Sequence, residues 1–168
     1  MTVREHIEIF MKLFEPIKDK QPNYYFYRWL LEKGRLGDTR KFTKKELKFI
    51  KDKLRLSGIA PQAKECYYVS QLLVFSAIED FKYVEGYAVS IIPTEHAWLE
   101  YNGKVLDIVW GGLDSSKSPD GFSADPKNEY FGIEVPHNLI AENVGEREIA
   151  ESLLPLLFEK ERSASTLN

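Results

Sequence analysis

The stretch EHAWLEYNGKVLDIVW, residues 95–110, predicts a β-hairpin around which the rest of the chain can be arranged. Two runs rich in aromatic and β-branched residues, His96 to Tyr101 and Lys104 to Trp110, flank the dipeptide Asn102-Gly103. Asn-Gly between two such runs is the strongest short-range signal for a two-residue hairpin turn. A turn of this kind pairs Tyr101 with Lys104 and therefore fixes the register of both strands.

That register makes a geometric prediction about His96 and Asp107. Because side chains alternate along a strand, one face of the hairpin should carry His96, Trp98, Glu100, Val105, Asp107 and Val109. Trp98 should lie opposite Asp107, so His96 and Asp107 become diagonal neighbours with Cα atoms roughly 5.5 to 8 Å apart. At that separation an imidazole can donate a hydrogen bond to the carboxylate, which is how a carboxylate orients a histidine base.

The sequence before the hairpin predicts four helices. Capping-box pairs, Thr2 with Glu5 and Thr43 with Glu46, mark the starts of the first and the third. Apolar residues at helical spacing support the assignments. The helices are predicted at Val3 to Phe14, from Asn23 to Gly34, from Thr43 to Gly58 and from about Glu65 to Glu79.

Strands and loops dominate the second half of the chain. Further strands are predicted at Lys82 to Ser90 and Tyr130 to Val135, and the polar stretch Gly111 to Glu129 has the composition of a long loop, of the kind that forms a lid or binding loop. A last helix, Arg147 to Glu159, should be kinked or shortened by Pro155. Helices followed by a meandering sheet are typical of an α+β domain, so we predict one domain over residues 1–161 and a disordered tail over residues 162–168.

Composition narrows the class of protein. The 168 residues are 43% apolar and 29% charged, which is typical of one globular domain and not of a disordered chain. No apolar run reaches the length of a membrane span and the N-terminus has no signal-peptide core, so a cytoplasmic protein without membrane contact is expected. The net charge of −3 argues against nucleic-acid binding, but the segment Lys33 to Arg55 holds ten Lys and Arg and carries +7. That basic segment could meet an acidic partner, or it could simply be a solvated face.

Cys66 is the single cysteine, which excludes an intrachain disulfide and any multi-cysteine metal site. A free cysteine is often a buried core residue. The predicted helix start places Cys66 in a first helical turn, where the helix dipole favours the thiolate and backbone N–H groups can stabilise an oxyanion. Together with His96 and Asp107, Cys66 would complete a constellation suited to nucleophilic catalysis.

Four segments carry a resemblance to a known family: Lys64-Glu65-Cys66-Tyr67-Tyr68, Tyr83-Val84-Glu85-Gly86-Tyr87, His96-Ala97-Trp98-Leu99-Glu100 and Val105-Leu106-Asp107. Together they resemble the transglutaminase-like superfamily of papain-like cysteine enzymes. In that family a Cys begins a helix, a strand similar to Y-V-x-G-Y follows, the His stands in H-A-W-[VL]-E, and an Asp ends the next strand. The resemblance spans about Lys64 to Trp110.

The resemblance implies a papain-like core in which the nucleophile-bearing helix packs on an antiparallel sheet. It implies that Cys66 is the nucleophile, His96 the general base and acid, and Asp107 the orienting carboxylate. The substrate would be an amide, isopeptide or thioester of a protein or peptide, with either hydrolysis or acyl transfer as the outcome. The small size of the chain favours a peptidase or amidase. No metal or other cofactor is expected.

Two further residues are candidates for substrate or oxyanion contacts. Gln62 lies near Cys66 in sequence and carries an amide that could serve an oxyanion hole, although it could equally be a surface polar residue. Trp98 could wall a substrate pocket beside His96, or it could be a cross-strand packing residue.

Other functions remain open from the sequence. Arylamine N-acetyltransferases also use Cys, His and Asp, and Leu106 to Gly111 faintly resembles their V-D-V-G-F-G segment, but their Arg-Gly-Gly-x-Cys lead is absent. A catalytically silent domain could act as a protein-binding module through the basic segment, the aromatic second helix or the long loop. Metal catalysis is disfavoured because the three histidines are far apart in sequence, and His137, after Pro136, is predicted in a turn.

Overall fold

The computed structural model describes residues 1–60, 64–76, 80–113, 120–144 and 150–165. Its helices are α1 (Val3–Phe14), α2 (Pro22–Lys33), α3 (Lys44–Ser57), α4 (Cys66–Ser76), α5 (Trp110–Leu113), α6 (His137–Val144) and α7 (Leu154–Ser165), with a 3₁₀ segment, Glu15–Lys20, after α1. Its strands are β1 (Arg35–Leu36), β2 (Lys82–Val89), β3 (Pro93–Tyr101), β4 (Lys104–Leu106) and β5 (Glu129–Glu134). The predicted α+β class is confirmed. Among the described residues, no helix has the length and apolar character needed to cross a membrane.

The five strands form one antiparallel sheet in the order β1-β5-β2-β3-β4. The predicted hairpin register is confirmed, since Tyr101 pairs with Lys104 around the Asn102-Gly103 turn. The sheet curls until its two edges meet: Asp38, just beyond β1, bridges to Lys104, and its carbonyl accepts a hydrogen bond from the Val105 N–H at 2.8 Å. The curled sheet therefore has an inner face and an outer face.

Each face of the sheet has its own apolar core. The inner face is filled by Val84, Ala88, Trp98, Val105, Ala124 and Tyr130. The outer face packs against the helices, and α4 lies on β3 there, with Val69 and Leu73 in the same cluster as Ala97 and Leu99. Because α4 carries no charged residue and is buried along most of its length, it is the central helix of this layer.

Local signals explain the N-terminal helices. Thr2 with Glu5 and Thr43 with Glu46 form the predicted capping boxes of α1 and α3. Gly58 ends α3 with a φ of 67°, a left-handed conformation that glycine adopts without strain.

The second strand of the hairpin is shorter than predicted. β4 ends at Leu106 instead of continuing to Trp110, because the Asp107 carboxylate accepts hydrogen bonds from the N–H groups of Val109 and Trp110 and turns the chain into α5. The prediction that Val109 shares the face of His96 is therefore wrong, and Val109 packs in the outer, helix-covered cluster.

The C-terminal part also departs from the prediction. His137 begins α6, where the sequence suggested a turn. The last helix begins at Leu154 instead of Arg147, so Pro155 lies in its first turn, where a missing N–H costs nothing, and does not kink it. This helix continues to Ser165, through part of the predicted tail. Residues 145–149 and 166–168 lie outside the described part.

The predicted long loop, Gly111 to Glu129, is only partly described. Its first residues belong to α5, and the Asp120 carboxylate accepts hydrogen bonds from the N–H groups of Phe122 and Ser123, which fix a local turn. Residues 114–119 lie outside the described part, so the lid expected from this loop stays a prediction.

The basic segment Lys33 to Arg55 is partly paired within the chain. Arg35 makes a two-pronged ion pair with the buried Glu100, Arg40 pairs with Asp38, and Lys53 pairs with Asp80. The Arg35 pair joins the segment to β3, the Lys53 pair joins it to the turn just before β2, and the Arg40 pair lies within the segment itself. An acidic partner for this segment remains a prediction.

Gly132→Ala should destabilise the sheet by about 1 to 3 kcal/mol, the usual cost of forcing an extra methyl group into a packed core. A Cβ at Gly132 would come closer than van der Waals contact to the backbone carbonyl of Glu85 and would stand 2.6 Å from the ring of Trp98. Urea unfolding measures the loss, with Thr94→Ala on the exposed edge of β3 as the control. Equal free energies of unfolding for the two variants would contradict the tight approach of β2 and β5.

Candidate active site

Cys66 begins α4 and is 8% exposed. The helix starts there because the Glu65 carbonyl accepts the first intrahelical hydrogen bond, from the Val69 N–H at 2.9 Å. The residue two positions before Cys66, Lys64, has a φ of 66°, a left-handed conformation that is costly for a side chain other than glycine. The N–H groups of a first helical turn have no partner within the helix, and Cys66 is the residue with which this turn and the positive end of the helix dipole begin.

His96 lies in β3 and joins the two other predicted residues. Its Nε2 is 2.8 Å from Oδ2 of Asp107, and both side chains are buried. This is the contact that the hairpin register predicts. Because Nε2 faces Asp107, Nδ1 is the ring nitrogen that remains for the Cys66 thiol, whose hydrogen bond to His96 contributes to the pKa of the imidazole.

Asp107 is held by four donors. Besides His96, the Tyr130 hydroxyl donates to Oδ2 at 2.8 Å, and the N–H groups of Val109 and Trp110 donate to Oδ1. Burial raises the pKa of Asp107, but the charge of His96 and these hydrogen bonds outweigh it and hold the pKa below its ordinary value. Asp107 is therefore an anion with a fixed orientation at neutral pH.

His96 is an imidazolium at neutral pH. Burial lowers its pKa, whereas the charge and hydrogen bond of Asp107 and the hydrogen bond of Cys66 raise it, and the net result is a pKa of about 9. A buried imidazole held by a carboxylate can accept a proton and later give it up.

Aromatic rings enclose the imidazole. Trp110 stacks on His96 with ring centroids 4.2 Å apart and planes at 21°, which suits a cationic ring. Trp98 is also near, at 6.4 Å, but it is almost fully buried on the inner face of the sheet. Trp98 therefore packs within the inner core, which is one of the two roles that the sequence left open. Gln62, the other candidate, lies outside the described residues.

A cavity of about 320 Å³ is lined by residues next in sequence to Cys66 and His96. The cavity is lined by α2, by α7, by the segment before α7 and by the strands β2 and β3. The sheet contributes Gly86, which pairs with His96 across the strands, and Glu95, which precedes His96. α4 contributes Tyr67, which follows Cys66. The cavity therefore has chain neighbours of both Cys66 and His96 in its wall.

A buried carboxylate ties the sheet to α7 at the edge of this cavity. Glu85 in β2 is fully buried and accepts hydrogen bonds from the Tyr83 hydroxyl, from the cavity residue Ser152 and from the N–H groups of Leu153 and Leu154. Burial raises the pKa of Glu85, although these donors oppose the shift. Glu85 thus holds the start of α7 against the strand that carries Gly86.

A scan against protein-family models and searches of curated proteins and of solved structures found nothing that matches this chain. The geometry of Cys66, His96 and Asp107 is therefore the main ground for assigning a function.

Sequence reasoning missed three residues of the site. Trp110 follows Asp107 by three residues and stacks on His96 because the chain turns into α5 after Asp107. The predicted strand was too long to indicate this turn. Tyr130 reaches Asp107 from a strand 23 residues away, so only the sheet order could have shown it. Glu85 lies in the segment Tyr83-Val84-Glu85-Gly86-Tyr87, but nothing in the local sequence predicts its hydrogen bonds to the residues around the start of α7.

The pKa of His96 should make the stability of the protein depend on pH. Because the folded-state pKa of about 9 lies above the 6.5 of an unfolded histidine, the stabilisation is fully present below pH 6.5 and is lost as the pH rises through 9. Between these values the wild type should lose about 3 kcal/mol more unfolding free energy than His96→Gln. Urea titrations at several pH values measure this difference, and parallel pH profiles for the two proteins would contradict the charged state of His96.

Proposed function

We propose that the protein is a cysteine hydrolase of transglutaminase-like type, acting on an amide, isopeptide or thioester of a peptide or protein. The observation that carries the proposal is that the buried His96 meets the Asp107 carboxylate through Nε2 at 2.8 Å, while Cys66 is near enough to raise the pKa of the same imidazole. A histidine oriented by a buried carboxylate and paired with a thiol is the arrangement that activates a cysteine nucleophile.

The first half of the reaction forms a covalent intermediate. The Cys66 thiolate attacks the carbonyl carbon of the substrate, forming a C–S bond and a tetrahedral oxyanion. The His96 imidazolium then gives its proton to the leaving amine or thiol, and the bond between the carbonyl carbon and the leaving group breaks. A thioester on Cys66 and a neutral His96 remain, with Asp107 still holding the ring.

The second half releases the acyl group. Neutral His96 takes a proton from a water molecule as that water attacks the thioester carbonyl. The C–S bond breaks, the carboxylic acid leaves, and the thiolate and imidazolium are restored. An amine in place of water would give acyl transfer by the same steps, and hydrolysis is preferred here because water is the simplest second substrate for a small domain.

The oxyanion would be stabilised at the start of α4. The first-turn N–H groups of α4 would donate to the oxyanion, and hydrogen bonds from such groups strengthen as negative charge forms. The left-handed conformation of Lys64 supports this reading, because strained backbone beside a nucleophile is a common feature of active sites.

The resemblance to the transglutaminase-like superfamily supports the same roles. The Cys, His and Asp positions of its motifs fall on Cys66, His96 and Asp107, which form one buried cluster. A silent binding module would have no need of an imidazolium held between a thiol and a carboxylate. The same cluster would also serve acyl transfer of the arylamine N-acetyltransferase kind, so this remains the alternative reaction.

Trapping the acyl-enzyme tests the proposal. The protein is mixed with p-nitrophenyl acetate, quenched in acid and examined by intact mass and peptide mapping. The wild type should carry one acetyl group on Cys66, and Cys66→Ala should carry none. Absence of acetylation, or the same level of acetylation in Cys66→Ala, would overturn the proposal.

A further inference from the structure

The cavity beside Cys66 and His96 has a distinctive lining. Its aromatic residues are Phe26, Tyr27, Tyr67, Tyr87 and Phe158. Its charged residues are Glu95 and Glu159, and the described lining includes no lysine, arginine or histidine. An aromatic cavity with carboxylates and no cation of its own is complementary to a positively charged group.

The carboxylate of Glu95 is available to a ligand. Glu95 is exposed, and one of its oxygens, Oε1, accepts a hydrogen bond from the Tyr87 hydroxyl at 3.0 Å. This bond orients the side chain beside the aromatic walls. Glu159 is also exposed, with a loose ion pair of 3.5 Å to Arg162 of the same helix.

The cavity is lined by the chain neighbours of two of the candidate catalytic residues. Glu95 precedes His96 in β3, and Tyr67 follows Cys66 in α4. Burial raises the pKa of the Tyr67 hydroxyl, and the charges of Glu85, Cys66 and Glu95 raise it further, so Tyr67 lies within electrostatic reach of both the nucleophile and the cavity carboxylate.

We infer that this cavity binds a lysine or arginine side chain of the substrate, next to the carbonyl that Cys66 attacks. The inference rests on the proposed function, because it assigns a specificity to the same site. The volume of about 320 Å³ is at the small end of ligand pockets and suits one extended side chain. The aromatic rings would pack on the aliphatic stem and the cationic head, and Glu95 would pair with the charge.

Binding of two matched compounds to the full-length Cys66→Ser protein tests the inference without turnover. Nα-acetylarginine amide carries the charge, and Nα-acetylcitrulline amide has nearly the same shape without it. Isothermal titration should show the arginine compound binding about tenfold more tightly than the citrulline compound. In a protein that also carries Glu95→Gln, the affinity for the arginine compound should fall to that of citrulline, whereas Glu8→Gln, a partly exposed carboxylate of α1 outside the cavity lining, should change neither.

Equal affinities for the two compounds, no measurable binding of either, or an arginine affinity that Glu95→Gln does not change would overturn the inference. Its failure is distinguishable from failure of the proposed function. Acetylation of Cys66 by p-nitrophenyl acetate uses a neutral ester, so it does not depend on a cation-binding cavity. An acylated Cys66 with no preference for arginine would overturn the specificity alone.

Discussion

His96→Ala should slow the acetylation of Cys66 by p-nitrophenyl acetate about 10²- to 10⁴-fold, the usual contribution of a positioned acid-base group. In the proposed mechanism, removing the imidazole takes away the group that exchanges protons with the sulfur. Asp107 cannot replace this function, because it contacts the far side of the ring, through Nε2.

The rate of nitrophenolate release under excess ester measures this effect. His137→Ala is the matched control, since His137 is a partly exposed histidine at the start of α6, and its rate should equal that of the wild type. Circular dichroism establishes that each variant is folded. Added imidazole should restore part of the rate in His96→Ala, because it can enter the space beside Trp110. An unchanged rate in His96→Ala would contradict the role of His96.

Glu85→Ala should lower the free energy of unfolding by about 3 to 5 kcal/mol, because it removes the common acceptor of a fully buried network. The Tyr83 hydroxyl and the N–H groups of Leu153 and Leu154 would be left without that acceptor in a site closed to water. Since these N–H groups lead into α7, the start of that helix should also loosen and widen the cavity beside Cys66.

Urea unfolding at neutral pH measures the effect of Glu85→Ala. The matched control is Glu134→Ala, which removes an exposed carboxylate from the neighbouring strand and breaks only surface ion pairs, worth about 1 kcal/mol or less. A loss in Glu85→Ala no larger than the loss in Glu134→Ala would show that the buried network contributes little to stability.

The hairpin and the contact between His96 and Asp107 could be predicted because they depend on local chemistry. An Asn-Gly turn allows one register, and the alternation of side chains then decides which residues meet. The start of α4 at Cys66 could also be predicted, since the apolar pattern around Val69 and Leu73 has helical spacing.

What the sequence did not indicate depends on contacts between distant segments. The closure of the sheet through Asp38 and Lys104 joins residues 66 positions apart, and no local pattern encodes it. The burial of Trp98 follows from that closure, because the curled sheet gives its inner face a core of its own. The sequence therefore left open whether Trp98 walls a substrate pocket or packs across the strands, and the inner core accounts for the second of these roles.

A single residue explains the error at the end of β4. The predicted strand runs through Asp107 to Trp110, but the Asp107 carboxylate accepts two backbone N–H groups and ends the strand at Leu106. The apolar residues Ile108 and Val109 suggested a continuing strand, and the local hydrogen bonding of an aspartate overrode that pattern.

The most direct test of the account is the rate of Cys66 alkylation by iodoacetamide between pH 5 and 10, in the wild type, His96→Ala and Asp107→Asn. An ordinary thiol reacts slowly below a pH of about 8.5. If His96 activates Cys66, the wild type should keep a high rate well below that pH, His96→Ala should behave as an ordinary thiol, and Asp107→Asn should lie between them. Three superimposable profiles that rise near pH 8.5 would contradict the account, because Cys66 would then be a packing residue with no catalytic partner.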